Sequence, residues 1–109
     1  MKHVLFELKG CSSELLDDLE FCKLALQIAA SKSKSTLIDV TAHKFEPQGV
    51  TGLALLADSH ISIHTWPEKK LAMCDIFTCS VDADPIEAVQ YLKRQYKSTD
   101  TTFTQYVRE

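Results

Sequence analysis

Residues 57–68, which read ADSHISIHTWPE, hold the densest group of chemically useful side chains in the sequence. β-branched residues alternate here with polar ones, which predicts a strand whose successive side chains point to opposite faces. Ile61 and Ile63 should therefore face a core, whereas the other face carries His60, Ser62, His64 and Trp66. Two imidazoles, a hydroxyl and an indole on one surface indicate a binding or catalytic role.

Three kinds of chemistry are compatible with this segment on residue types alone. His60 and His64 have the spacing of a helical zinc site, but the alternation predicts a strand and no Glu follows the first histidine. Ser59 is a candidate nucleophile, since a serine needs a nearby base, although the Gly-x-Ser-x-Gly elbow is missing. The third interpretation is a solvated polar strand face with Trp66 covering an edge.

A longer pattern narrows these alternatives. Residues 55–68, LLADSHISIHTWPE, followed by DIFTC at residues 75–79, resemble the short prokaryotic S-adenosylmethionine decarboxylase proenzymes, which are pyruvoyl enzymes. The resemblance extends from the first strand through Asp84-Pro85 and the second helix. It implies self-cleavage between Asp58 and Ser59 into a β chain, residues 1–58, and an α chain, residues 59–109. The α chain would begin with a covalent pyruvoyl group made from Ser59.

The resemblance also implies roles for individual residues. His64 matches the base of the elimination step, and Cys79 matches the donor that protonates the substrate carbon after carbon dioxide leaves. Thr51 and Asp58 stand where the family usually has Ser and Glu. Both keep the functional group, but Asp is one methylene shorter and Thr is stiff at its first side-chain torsion, so we expect slower cleavage. No metal is implied, because the pyruvoyl carbonyl serves as the electron sink.

The implied substrate is S-adenosylmethionine, decarboxylated to the aminopropyl donor for spermidine synthesis. Phe45 and Trp66 match aromatic positions around the substrate, where adenine or a sulfonium favours aromatic faces. Glu68 is a candidate acceptor for ribose hydroxyls. Two alternatives remain. One is a pyruvoyl-dependent decarboxylase of arginine or ornithine, since the pyruvoyl carbonyl accepts electrons whatever the side chain of the substrate is. The other is an uncleaved, non-catalytic ligand-binding dimer.

The elements that must position these residues follow the order β-α-β-β-β-β-α-β. Strands are predicted at residues 4–9, 36–45, 50–57, 60–66, 71–79 and 101–107, and in the second of them Ile38, Val40 and Ala42 are expected to be buried. This succession favours an α+β fold, a two-layer sandwich of a mainly antiparallel sheet with helices on one face. A sheet face left bare predicts a homodimer.

Two helices complete the prediction. The first is expected at residues 13–31, capped by Ser12 or Ser13, with a helical stripe formed by Leu15, Leu19, Cys22, Leu26 and Ala29. The second begins with Asp84 as cap, Pro85 in the first position and Glu87 three residues after the cap. Its buried stripe should be formed by Val89, Leu92 and Tyr96.

Length, composition and charge limit the number of domains, the class of partners and the cellular location. The 109 residues are 45% hydrophobic and 25% charged, as expected for one globular domain spanning residues 1–109. A net charge of −3 with scattered Lys and Arg argues against nucleic acid as a partner. With no run of 18 apolar residues and an alternating N-terminal segment, we expect a cytoplasmic protein with no membrane partner. The cysteines form no C-x-x-C pair, so thiols are expected, and Cys11, Cys22 and Cys74 are interpreted as structural.

Overall fold

A single six-stranded antiparallel sheet dominates the computed structural model, which describes residues 1–109. Its strands lie in the spatial order β2-β3-β4-β5-β1-β6. In chain order they are β1 (Lys2–Lys9), β2 (Leu37–Lys44), β3 (Val50–Leu56), β4 (His60–Trp66), β5 (Leu71–Thr78) and β6 (Asp100–Val107). The predicted strands all exist, and their ends agree with the prediction to within two residues. The predicted α+β sandwich is confirmed.

Helices cover one face of this sheet. They are α1 (Ser13–Leu16), α2 (Leu19–Lys32) and α3 (Pro85–Gln95), and α2 and α3 pack on each other as well as on the strands. Gly52 of β3 allows a close approach, because a Cβ there would lie 2.6 Å from the Cys22 sulfur of α2. None of the helices has the length and apolar character needed to span a bilayer.

The alternation of each strand divides its side chains between the helical layer and the opposite face. Ile61 and Ile63 are fully buried under the helices, as predicted. The predicted buried stripe of α3, Val89, Leu92 and Tyr96, is also confirmed. We call the opposite side of the sheet the open face; its polar and aromatic part includes His60, Ser62, His64 and Trp66.

The single helix predicted at residues 13–31 is wrong, because the chain breaks after Leu16. Ser12 caps α1 as expected, with its Oγ accepting from Leu15 N–H. Asp18 then caps α2 by accepting from Phe21 N–H at 2.9 Å. An aspartate favours such capping over a place inside a helix, since its carboxylate competes for backbone N–H groups. Asp17 and Asp18, which the prediction placed inside one helix, therefore lie at the boundary between two helices.

The predicted burial of Ile38 is also wrong. Its side chain is 59% exposed, whereas Val40 and Ala42 pack partly against the core. The pairing of β2 with β3 shifts between Leu37 and Asp39, as in a β-bulge. A bulge places two residues opposite one and changes the face to which a side chain points. Because β2 is an edge strand, this irregularity interrupts only one ladder.

Candidate active site

A short connection between β3 and β4 carries the Asp58-Ser59 bond. Leu56 N–H closes it by donating to the Ser59 carbonyl oxygen at 3.0 Å. The Ser59 hydroxyl donates to Asp58 Oδ1 at 3.1 Å and accepts from Cys79 N–H at 3.2 Å. The Cys79 thiol donates to the Asp58 carbonyl oxygen at 3.0 Å. Three of the predicted site residues thus meet at this junction.

This arrangement suits an attack by Ser59 on the carbonyl that precedes it. The Asp58 carboxylate lies where it can take the hydroxyl proton, as a general base must. The Cys79 thiol donates to the Asp58 carbonyl oxygen, on which negative charge would develop during the attack. A small cavity of about 180 Å³ adjoins the junction; it is lined by Lys34, Ser35, Thr36, Ala57, Asp58, Ser59, Ser80 and Ala83.

The other predicted site residues form a second cluster. Thr51 of β3 and His64 of β4 are cross-strand partners, and Thr51 Oγ1 lies 3.1 Å from His64 Nδ1. A hydrogen bond at this distance fixes the orientation of the ring. Both side chains line a cleft of about 370 Å³ that is also lined by Phe45, Trp66 and Glu68. All five residues were predicted from the sequence as site residues, and the fold brings them together in one cleft.

The loop between β2 and β3 shapes one wall of this cleft. Gly49 has a φ of 105°, which favours glycine, and its carbonyl accepts from Phe45 N–H at 2.8 Å. Asp17, at the end of α1, anchors the loop by accepting from Gly49 N–H at 2.8 Å and from Lys44 Nζ at 2.9 Å. The Gly49 hydrogen bond, followed by that from Lys44, holds the pKa of Asp17 below its ordinary value. The sequence pattern placed Asp17 inside a helix and gave no sign of this anchor.

The two clusters lie towards opposite ends of β4. Ser59 immediately precedes the strand and His64 is four residues after its first residue, His60. At about 3.3 Å per residue, His60 and His64 are separated by about 13 Å along the strand. One chain therefore assembles Asp58, Ser59 and Cys79 at one end, and the cleft with Thr51 and His64 towards the other. No hydrogen bond connects His64 with Ser59 within the chain.

A further polar group on the open face was not predicted from the sequence. Asp75 of β5 accepts hydrogen bonds from His3, His60 and Ser62. The alternation of β5 places Asp75 on the same face as Met73 and Phe77. That pattern could have revealed its orientation, but not its partners, since β1 and β4 flank β5 only in the folded sheet.

The four cysteines are all free and differ in their surroundings. Cys11, Cys22 and Cys74 are buried, whereas Cys79 is partly exposed. Burial raises the pKa of Cys11 and of Cys22 to about 11, so both remain protonated near neutral pH. Thiols of this kind are poor nucleophiles and metal ligands. This agrees with the interpretation of these residues as structural.

Comparison with known proteins gives one consistent family. The model of the S-adenosylmethionine decarboxylase family matches residues 2–109. An S-adenosylmethionine decarboxylase proenzyme from Synechococcus sp. (strain WH7803) is 45% identical over 108 residues, which cover 99% of this chain and 84% of the relative. A protein with the same description from Caldanaerobacter subterraneus is 39% identical over 107 residues, covering 98% and 86% of the two chains.

A solved structure shares the whole arrangement of elements. The crystal structure of the adenosylmethionine decarboxylase from Aquifex aeolicus superimposes with a TM-score of 0.86 at 34% sequence identity. The match covers 96% of this chain and 87% of that one. The overall fold described above therefore recurs in a protein described as an adenosylmethionine decarboxylase.

Proposed function

The chain belongs to the S-adenosylmethionine decarboxylase family, and we propose that it decarboxylates S-adenosylmethionine with a pyruvoyl group made from its own Ser59. The observation that carries this proposal is the junction itself. The Ser59 hydroxyl is held between a carboxylate and a backbone N–H, and a thiol donates to the carbonyl before it. The decarboxylated product is the aminopropyl donor for spermidine synthesis.

Cleavage begins at the Asp58-Ser59 bond. The Ser59 hydroxyl passes its proton to the Asp58 carboxylate as its oxygen attacks the Asp58 carbonyl carbon. The C–N bond then breaks and the freed nitrogen takes that proton, which leaves an ester. His64 then removes the Ser59 Cα proton, and the Cβ–O bond breaks to release Asp58 as a carboxylate. The remaining dehydroalanine tautomerises and adds water, losing ammonia to give the pyruvoyl terminus. Thr51 orients His64 through their hydrogen bond.

The residues at the junction fit a pyruvoyl terminus. Ser59 supplies its three carbons, and Cys79 offers a backbone N–H and a thiol beside them. The pyruvoyl group provides an electron sink when carbon dioxide leaves the substrate. The Cys79 thiol, which carries its proton in the contact with the Asp58 carbonyl, delivers that proton to the substrate carbon.

The cleft of about 370 Å³ is the proposed substrate site, and its volume falls in the range of small-molecule pockets. Phe45 and Trp66 offer aromatic faces to the adenine ring and the cationic sulfonium. Glu68 accepts hydrogen bonds from the ribose hydroxyls. Each of these groups lies towards the His64 end of β4, not at the junction.

A homodimer packed through the open face brings the two clusters together. Leu5, Leu53, Leu55 and Met73 of that face are between 38% and 48% exposed, which leaves an apolar surface for a second copy to cover. A twofold axis running across the strands reverses their direction, so the start of β4 in one copy lies over its end in the other. Each site then combines the junction of one chain with the cleft of its partner.

The purified protein should consist of two chains broken between Asp58 and Ser59. Intact mass spectrometry should show residues 1–58 and an α chain lighter than the hydrolysis product of residues 59–109 by one ammonia. Edman degradation of the α chain should fail, because a pyruvoyl terminus has no amine. A single chain that persists through prolonged native incubation would contradict the proposal.

Two inactive variants should restore each other if the sites are shared. The His64→Ala chain keeps the junction but lacks the base, whereas the Ser59→Ala chain keeps the cleft but lacks the nucleophile. Coexpression should yield about a quarter of the parental activity, since half of randomly formed dimers are mixed and each holds one complete site. Mixing the purified homodimers without exchange of subunits is the control. Activity no higher than that of the single variants, in dimers shown to be mixed, would place each site within one chain.

A further inference from the structure

A carboxylate lies near the centre of the open face and gathers three donors. Asp75 of β5 accepts at Oδ2 from His3 Nε2 at 2.7 Å and from His60 Nε2 at 2.9 Å. The Ser62 hydroxyl donates to its Oδ1. The donors come from β1 on one side of β5 and from β4 on the other. We call these four residues the Asp75 network; none of them takes part in the chemistry proposed above.

The network contains a partly buried anion. Only 20% of the Asp75 side chain is exposed. Burial by itself raises the pKa of this carboxyl, but the hydrogen bonds from Ser62, His3 and His60 outweigh it, so the pKa lies below its ordinary value of 3.8. Asp75 is therefore charged near neutral pH and can hold its donors firmly, since hydrogen bonds to an ionised acceptor are stronger than neutral ones.

Hydrogen bonding describes this network better than metal coordination. The ligand atoms of His3, His60 and Asp75 do lie within 4.8 Å of one another. However, the guanidinium of Arg108 lies 3.4 Å from His3 Nδ1 and can only donate. His3 Nδ1 must then be the acceptor, which leaves the proton on Nε2, where it faces Asp75. A metal would need the Nε2 lone pair instead.

The network spans the proposed cleavage point. His3 belongs to residues 1–58, whereas His60, Ser62 and Asp75 belong to residues 59–109. His60 directly follows Ser59, so the pyruvoyl group is joined to the His60 backbone nitrogen. Before cleavage residue 59 is covalently bonded to the backbone on both sides. After cleavage it is bonded only to His60. Side-chain anchoring of His60 therefore matters more in the cut protein than in the uncut one.

We propose that Asp75 is a positioning residue for the pyruvoyl terminus, holding His60 in place after the bond before Ser59 has been cut and linking the two resulting chains through His3. This inference rests on the proposed function and adds to it a residue that touches neither the substrate nor the reacting atoms. The Asp75 network compensates for the loss of the covalent tether.

The variant Asp75→Asn should cleave to completion and then turn over slowly. We expect kcat per pyruvoyl group to fall by about 10- to 100-fold, because a displacement of about 1 Å in a reacting group can cost about 10²-fold. KM should change much less, since the substrate cleft lies towards the other end of β4. Pyruvoyl content is measured by mass spectrometry. Glu20→Gln, the same chemical change at an exposed position of α2 away from the open face, is the control and should remain within twofold of the parent in kcat, a difference of roughly 0.4 kcal/mol.

Hydrogen exchange gives a readout independent of turnover. Amides of residues 60–63 should exchange at least about tenfold faster in cleaved Asp75→Asn than in the cleaved parent, as expected for local opening. In the uncut Ser59→Ala background the same substitution should change exchange little. His60→Gln, which keeps a donor for Asp75, should recover most of the kcat that His60→Ala loses.

The outcomes separate this inference from the function on which it depends. A parent protein that stays uncut overturns both. A cut parent whose Asp75→Asn variant matches Glu20→Gln in kcat and in exchange overturns the inference alone. If sedimentation shows that Asp75→Asn is no longer a dimer, the residue acts in assembly and the inference is also overturned. Stoichiometric zinc binding by the parent that Asp75→Asn abolishes would overturn it as well.

Discussion

The Ser59→Ala variant should remain a single folded chain with no decarboxylase activity. Alanine removes the hydroxyl that attacks the Asp58 carbonyl and whose oxygen would become the alkoxy oxygen of the ester. The fold should survive, because the hydrogen bond that closes the connection runs from Leu56 N–H to the backbone oxygen of residue 59. Intact mass and circular dichroism test both statements, and activity should fall to the background of the assay.

The His64→Ala variant should stop at a later stage. Its Ser59 hydroxyl still lies between Asp58 and the Cys79 N–H, so the ester can form. Elimination should fail, since the base that removes the Cα proton is gone. Hydroxylamine cleaves esters and should therefore split this variant while leaving Ser59→Ala intact.

The comparison of the two variants is more decisive than either alone. Thr51→Ala offers an intermediate case, because it keeps His64 but removes the hydrogen bond that orients the ring. It should be cleaved more slowly than the parent, with transient sensitivity to hydroxylamine. If hydroxylamine leaves Ser59→Ala and His64→Ala equally intact, the assignment of separate roles to hydroxyl and base is wrong.

Local patterns predicted the elements well because each strand alternates and each cap is encoded nearby. Asp84 followed by Pro85 marked the start of α3, and its carboxylate accepts from Glu87 N–H as a cap does. The break between α1 and α2 was missed because the helical stripe from Leu15 to Leu19 continues across it, and because Asp17, next to the cap Asp18, finds its partners more than twenty residues away. Such a contact leaves no trace in a helical window.

The candidate site shows the same division between local and distant information. The motif identified the residues at both ends of β4, and alternation placed His60, Ser62, His64 and Trp66 on one face. What the motif did not convey is that Ser59 and His64 are separated by most of the strand, although the strand rise of about 3.3 Å per residue already implies it. The partners of Asp75 depend on the strand order β4-β5-β1, which no local pattern encodes.

The Cys79→Ala variant should still cleave itself but decarboxylate about 10²- to 10⁴-fold more slowly, the usual contribution of a positioned proton donor. Cleavage persists because the N–H that holds the Ser59 hydroxyl belongs to the backbone and survives the substitution. The thiol that donates to the Asp58 carbonyl is lost, so cleavage should be slower than in the parent but should still reach completion. Intact mass and single-turnover release of carbon dioxide measure the two steps separately. Cys11→Ala is the control, since its thiol is buried and donates to the Leu8 carbonyl, away from the junction.

Loss of the donor should also change the products. A carbanion that is not protonated on the substrate carbon is protonated on the carbon derived from Ser59 instead. The substrate then leaves as an aldehyde after hydrolysis, and the α-chain terminus becomes alanine, which cannot act again. Cys79→Ala should therefore lose activity during turnover, in step with the appearance of terminal alanine in mass spectra. Unchanged turnover with a stable pyruvoyl terminus would transfer the donor role to another residue, of which His64 is the first to test.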